Sequence, residues 1–179
     1  QPYADRINAL ARERNEAFLQ KYDAISSEWL MPKVMQIMFE APEVYAQTDK
    51  IIEAGDWIVL QLTGKDSRNS CAAGYKGQYD PATGYMNKAF LKALDPRLEN
   101  IEEEKLGKVV PSGTFVGGLT DEYAKLLGLK TGTGVAAATI DAHAAVPAVG
   151  IAAPAQMLMI MGPSTCHMML DNKEVCFKG

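Results

Sequence analysis

The residues best suited to chemistry gather at Thr139-Ile140-Asp141-Ala142-His143. Asp141 is a lone carboxylate between two small apolar runs, residues 135–140 before it and 142–150 after it. A charge in such company is costly unless it is paired or faces a cleft. At the carboxyl end of a strand it would suit a ligand site or a general base. It would equally suit an N-cap for the segment that follows, and the two roles are compatible. Lys76, emerging from the small-residue segment 71–76, is a candidate positive partner, although no spacing ties it to Asp141.

Other groupings offer different chemistry. Gly162-Pro163-Ser164-Thr165 is a hydroxyl-bearing turn between strand-like runs. Such turns can cradle phosphate through backbone N–H groups and hydroxyls, but this one lacks the Gly-Lys-Ser/Thr ending of a P-loop and resembles many hairpin turns. Cys166 or Cys71 with His143 and Asp141 supplies the residue types of nucleophile, base and orienter. Cys166, however, lies in an apolar strand pattern, where a free cysteine is usually a small buried hydrophobe. Asp141, His143 and His167 could ligate a metal only poorly, because no short ligand pair is present, so no metal is expected.

The elements that must position these groups follow from periodicity. Residues 2–20 read as an amphipathic helix with Ile7, Leu10, Ala11, Phe18 and Leu19 near one face. Ser26-Ser27-Glu28 offers a cap before Trp29, and Met31, Val34, Met35, Ile37 and Met38 form a core stripe. Pro42 opens a short helix through Gln47. Asp56 is expected to cap residues 57–62, with Gly64 as the stop. Residues 65–70 read as a polar loop, 80–84 as a turn, and 87–94 as a helix stopped by Asp95-Pro96. Residues 102–105 read as a solvated charged face, 109–113 as extended, and Gly117-Gly118 as flexible. Thr120 caps a helix that carries Asp121 and Glu122 in its first turn and ends at Gly128. Residues 156–161, 165–170 and 174–177 read as the opening strands of an antiparallel meander. A domain junction is placed near Gly150.

Composition narrows the class. The 179 residues are 47% hydrophobic and 22% charged, which suits one domain or one and a part of a globular protein. A net charge of −4, with no basic run, argues against a nucleic-acid surface. No apolar run reaches the roughly 18 residues of a membrane span, and the polar opening gives no sign of a signal peptide. Three cysteines without metal spacing read as reduced thiols, which points to the cytoplasm. The chain opens at Gln1 and closes at Gly179 just past a strand-like run, which reads as a piece of a longer polypeptide.

Several blocks together resemble one family. They are Ser27-Glu28-Trp29-Leu30-Met31-Pro32-Lys33, Gly55-Asp56-Trp57 through Leu62-Thr63-Gly64, Ser70-Cys71-Ala72-Ala73-Gly74-Tyr75-Lys76, Ala93-Leu94-Asp95-Pro96-Arg97-Leu98-Glu99-Asn100, Asp141-Ala142-His143, and Met159-Ile160-Met161-Gly162 with Ser164-Thr165-Cys166-His167-Met168. These resemble the FGGY carbohydrate kinases, and the Asp-Ala-His and Ser-Thr-Cys-His blocks resemble their L-ribulokinase branch. The resemblance runs over essentially the whole chain. It implies an α/β fold, part of an actin-like, ribonuclease H-like sugar kinase. Residues 1–150 would be a partial amino-terminal, sugar-binding domain, and 151–179 the beginning of a nucleotide-binding domain.

The implied activity is transfer of the γ-phosphate of ATP, with Mg2+, to the 5-hydroxyl of L-ribulose or a related ketopentose in L-arabinose catabolism. By the resemblance Asp141 would be the catalytic base and Lys76 a sugar ligand. Gly162, Ser164 and Thr165 would belong to a phosphate-binding turn. Pro163 departs from the family's threonine and removes both a hydroxyl and a backbone N–H there. The family's amino-terminal phosphate motif, its adenosine site and a further sugar-binding carboxylate match nothing in this chain. The expectation is therefore a central kinase segment, inactive alone. The alternative is a non-catalytic product that binds sugar or associates with other subunits, including copies of itself.

Overall fold

A computed structural model of the chain describes residues 1–162 and 165–173. Helix α1, Pro2–Arg14, buries Ala4, Ile7, Asn8 and Ala11. The expected continuation to residue 20 does not occur. Asn15 adopts the left-handed conformation (φ 53°, ψ 48°), and its N–H meets the carbonyls of Ala11 and Arg12. Asparagine tolerates that conformation better than most residues, so it closes the helix, and the chain restarts as α2, Phe18–Tyr22.

Helix α3, Leu30–Glu40, buries Met31, Val34, Met35 and Met38, while Ile37 faces outward. Its cap differs from expectation: Trp29 is the capping residue and supplies no side-chain bond. The Ser26 hydroxyl instead accepts the nearby Glu28 N–H. Helix α4, Pro42–Gln47, has the expected bounds.

Helix α5, Ala54–Thr63, ends at left-handed Gly64 as expected (φ 67°). Its Asp56 is a correction. The carboxylate does not cap α5 but lies buried, 2% exposed, and accepts both the Asn69 backbone N–H (2.9 Å) and Asn69 Nδ2 (2.8 Å). Asn69 passes the constraint on. Its Oδ1 accepts the Ala72 N–H (2.7 Å) and so caps α6, Ser70–Gly77. Asn69 also belongs to β1, Arg68–Asn69, which pairs in parallel with β2, Val109–Val110. The expected loop at 65–70 is thus partly strand. A strand of two polar residues shows no alternation, so its pairing is invisible locally.

The turn at 80–84 is present, closed by Gly84 N–H to Asp80 O (2.8 Å). Helix α7, Lys88–Leu94, is capped by Asn87, whose side chain accepts the Phe90 N–H (2.8 Å). It delivers Phe90, Leu91 and Leu94 to a core shared with Ile7, Met35 and Met38. Full burial of each large side chain contributes roughly 1.5–3 kcal/mol. Residues Glu102–Leu106 form a π-helical turn whose charged side leads to buried Leu106.

Strand β3, Phe115–Gly118, pairs antiparallel with β4, Gly134–Ala136. The Gly117-Gly118 pair is therefore ordered ladder rather than a flexible link. Glycine serves close approach here: a Cβ on Gly118 would lie 2.7 Å from the Gly132 Cα. Helix α8, Asp121–Leu127, follows its Thr120 cap (Thr120 Oγ1 accepting the Tyr123 N–H) and ends at Gly128, as expected. The expected strand at 135–140 stops at Ala136, and irregular chain leads to α9, Asp141–Ala148. That connector packs on the first turn of α5, where a Cβ on Gly55 would come within 3.0 Å of the Ala138 Cβ.

Strands β5, Met157–Met161, and β6, Thr165–Met169, form an antiparallel hairpin in register Met159↔His167. Met157, Met159, Met161 and Met169 are 50–77% exposed. The expected strand at 174–177 lies outside the described residues, as do Pro163 and Ser164. Among the described residues no helix is long and apolar enough to cross a membrane.

Asp56 and Gly55 yield tests. Asp56→Ala strands the buried Asn69 donors and should cost about 2–4 kcal/mol of stability in urea denaturation. The Asp56 carboxyl is raised above its usual value, first by burial, with the Asn69 hydrogen bonds and Arg68 opposing. A raised carboxyl favours the fold when protonated. Its contribution is thus complete below the unfolded value of about 4 and is lost as pH rises through the folded one. Asp66 behaves in the opposite sense: burial pushes it up, but hydrogen bonds from Arg68 and Lys50 prevail and hold it low. Wild type should therefore gain stability relative to Asp56→Asn as pH falls from 7 toward 4, and a pH-independent difference would contradict this. Gly55→Ala should force Ala138 outward at a cost of about 1–3 kcal/mol, read as a lowered urea midpoint.

Candidate functional site

The site is built from α6 and α9. Helix α6 is held at its start by the Asn69 cap and along its length by buried Ala72, Ala73 and Gly77. It carries Cys71 in its first turn, then exposed Tyr75, then Lys76 in its last turn. The Lys76 ammonium stands 4.9 Å from the centre of the Tyr75 ring, a cation–π distance.

Helix α9 carries Asp141 as its first residue. The surroundings differ from those the sequence suggests: α9 has no buried residue and Asp141 is exposed. Ile140, not Asp141, is the capping residue, and it makes no side-chain bond. Asp141 nevertheless accepts the Ala142 N–H (2.7 Å), and its charge sits at the helix end where the dipole favours an anion. An exposed carboxylate held this way is available to accept a proton or a hydroxyl hydrogen bond.

The two helices meet at His143. Its Nδ1 contacts the Cys71 thiol, and its ring meets the Tyr75 ring edge to face, with centroids 5.7 Å apart at 66°. Tyr75 in turn lies under Lys76. The fold therefore links the Lys76 helix to the Asp141 helix through Tyr75, Cys71 and His143, a connection that no spacing revealed. An ammonium and an exposed carboxylate on adjoining helices supply donors and acceptors of the kind a polyhydroxylated ligand uses.

The remaining candidates lie apart. Gly162 and Thr165 are exposed and flank the β5–β6 turn; Ser164, between them, lies outside the described residues. Cys166 is half-buried in β6 with its sulfur 3.5 Å from the Met168 sulfur. The cysteine that meets His143 is Cys71, while Asp141 engages its own helix rather than the imidazole. The nucleophile, base and orienter of a thiol hydrolase are thus not assembled. His167 lies across from Met159 on the hairpin, and no group of three or more His, Cys, Asp or Glu among the described residues could hold a metal. Sequence reasoning missed the Asp56–Asn69 link, although an asparagine directly before a helical segment is a legible capping signal. It grouped Cys71 with His143 only as residue types for a thiol hydrolase, and no spacing signalled their contact or the part Tyr75 plays in it.

The sequence profile for the N-terminal domain of the FGGY family of carbohydrate kinases matches residues 6–148. A ribulokinase of Geobacillus thermodenitrificans is 49% identical over the full chain, which covers 32% of that protein. A ribulokinase of Bacillus licheniformis is 54% identical over 95% of the chain and 31% of its own length. The chain thus spans about a third of the length of the curated relatives it matches. Among solved structures, a xylulose kinase from Rhodospirillum rubrum superposes with a TM-score of 0.74 at 26% identity, over 90% of this chain and 32% of that one. The mixed α/β architecture is accordingly that of the actin-like sugar kinases. With a profile match that spans both α6 and α9, the chain belongs to the FGGY family of carbohydrate kinases.

Proposed function

We propose that this chain forms the sugar-binding part of a kinase that phosphorylates L-ribulose on its 5-hydroxyl, a cytoplasmic step of L-arabinose catabolism. The observation that carries the reading is the joining of the Lys76 and Asp141 helices at His143. The names of the ribulokinase relatives support the choice of sugar. In this reading the Lys76 ammonium donates hydrogen bonds to sugar oxygens and fixes the ring or open chain against α6. Asp141 accepts the proton of the attacking hydroxyl as its oxygen approaches phosphorus. Phosphoryl transfer asks little covalent chemistry of the protein beyond such positioning and charge compensation.

ATP with Mg2+ supplies the phosphoryl group when bound. By the resemblance Gly162, Ser164 and Thr165 would belong to its phosphate-binding turn, and the exposure of Gly162 and Thr165 suits contact with phosphate oxygens. We place the junction between the sugar-binding and nucleotide-binding parts near Gly150, so that 151–179 begins the latter. Transfer itself would require the further regions that the longer relatives carry.

The test is titration calorimetry with L-ribulose, alongside mass analysis for sugar phosphate in the presence of Mg-ATP. The 179-residue chain should bind L-ribulose and form no phosphate ester. Lys76→Ala and Asp141→Ala should each weaken binding about tenfold or more, the loss of a hydrogen bond to a charged group. Absence of sugar binding by the wild type would overturn the reading. Transfer that disappears in Asp141→Ala would support the base assignment but overturn the inactivity of the chain alone.

A second reading, association with further subunits, is favoured by the exposed methionine face of β5–β6. Light scattering over a range of concentrations should then show a dimer or larger species, and a monomer throughout would refute it.

A further inference from the structure

We propose that His143 is a positioning residue. Clasped by Cys71 and Tyr75 of α6, it fixes the turn of α9 that carries Asp141 relative to the helix that carries Lys76. The inference rests on the sugar-kinase reading and assigns to its base and its sugar ligand the joint that holds them in register.

The need for such a joint follows from the contrast between the two helices. Helix α6 is located by the Asn69 cap, by the buried Asp56 behind it, and by its buried alanines and glycine. Helix α9 has none of these. It buries no residue, its capping residue makes no side-chain bond, and Pro147 removes a backbone donor inside it. Neither a side-chain cap nor a buried face therefore sets its rotation, although it also lies against β6. A rotation of α9 would swing Asp141 away from whatever α6 holds.

His143 supplies what is missing. It is half-buried, its Nδ1 meets the Cys71 sulfur, and its ring meets Tyr75 edge to face. A polar contact and a ring contact together fix both the position and the azimuth of one α9 side chain. Positions separated by two residues on a helix do not face each other. The imidazole can therefore be gripped by α6 while the Asp141 carboxylate stays exposed at the helix start. His143 touches no reacting atom in this account; it acts through Asp141.

Two charged groups adjoin the joint on its own helices, Lys76, which lies over Tyr75, and Asp141 at the start of α9. Neither is the partner of the His143 Nδ1, which is the Cys71 thiol. The joint is thus a short-range contact of His143 with the Cys71 sulfur and the Tyr75 ring. Cys71→Ser, which keeps a hydroxyl in place of the thiol, should preserve it, and His143→Asn, which keeps a polar atom in place of Nδ1 but not the ring, should preserve its polar half.

The experiment is a double-mutant cycle on L-ribulose affinity in the 179-residue chain, with amide hydrogen exchange recorded on the same proteins. His143→Ala should weaken L-ribulose binding roughly 3- to 10-fold, while His143→Asn and Cys71→Ser stay within about threefold of wild type. In the His143→Ala background Asp141→Asn should cost much less than it does in wild type, because the carboxylate is already misplaced. Amide exchange in α9 should accelerate about tenfold in His143→Ala, with α6 unchanged. Equal losses from Asp141→Asn in both backgrounds, or unaltered exchange in α9, would overturn the proposal. If wild type binds no L-ribulose, the sugar-kinase reading fails by itself, and the exchange measurement still decides whether His143 holds α9.

Discussion

A single buried carboxylate organises this molecule. Asp56 lies in the first turn of α5, yet its charge is spent on Asn69, outside its own helix. Burying an anion is expensive, and two short hydrogen bonds from one residue are the compensation. The result is that Asn69 has little freedom. Its backbone enters the parallel pairing with β2, and its side chain caps α6. The placement of Lys76 is therefore inherited through Asn69 from a charge in another helix.

Asp141 is placed by different means. Its approach is steered by the connector over α5, where only the missing side chain of Gly55 lets Ala138 come so near. Its helix is then tied to α6 through its own His143, which meets Cys71 and Tyr75. Both routes lead back to the same start of α5, since Gly55 and Asp56 are neighbours. One two-residue step in the sequence thus governs both halves of the site, one residue by having no side chain and the other by hiding its charge.

What the sequence disclosed divides along physical lines. Helix boundaries set by local chemistry were legible: Thr120 as a cap, and Gly64 and Gly128 as stops. The buried stripe of α3 was legible because the 3.6-residue period needs no tertiary information. Asn15 was misread because the apolar pattern resumes after it, while a left-handed asparagine interrupts the backbone between. Asp56 was misread because a cap and a buried acceptor look alike until the partner at Asn69 is known. The strand of Arg68 and Asn69 depends wholly on a partner far along the chain. As for the site, Asp141 and Lys76 were singled out as chemical types, and their family resemblance gave them roles. Their association through His143 required the fold.

The methionines fall into two populations with different chemical fates. Met31, Met35 and Met38 are fully enclosed in the helical core, whereas Met157, Met159, Met161 and Met169 expose half or more of their surface on the hairpin. Oxidants reach thioethers in order of access, and sulfoxide formation turns an apolar, pliable side chain into a polar one. Under mild peroxide the helical core would keep its packing while the hairpin face changed character from greasy to wet. The same amino acid thus serves as permanent filler at one end of the chain and as an erasable surface at the other.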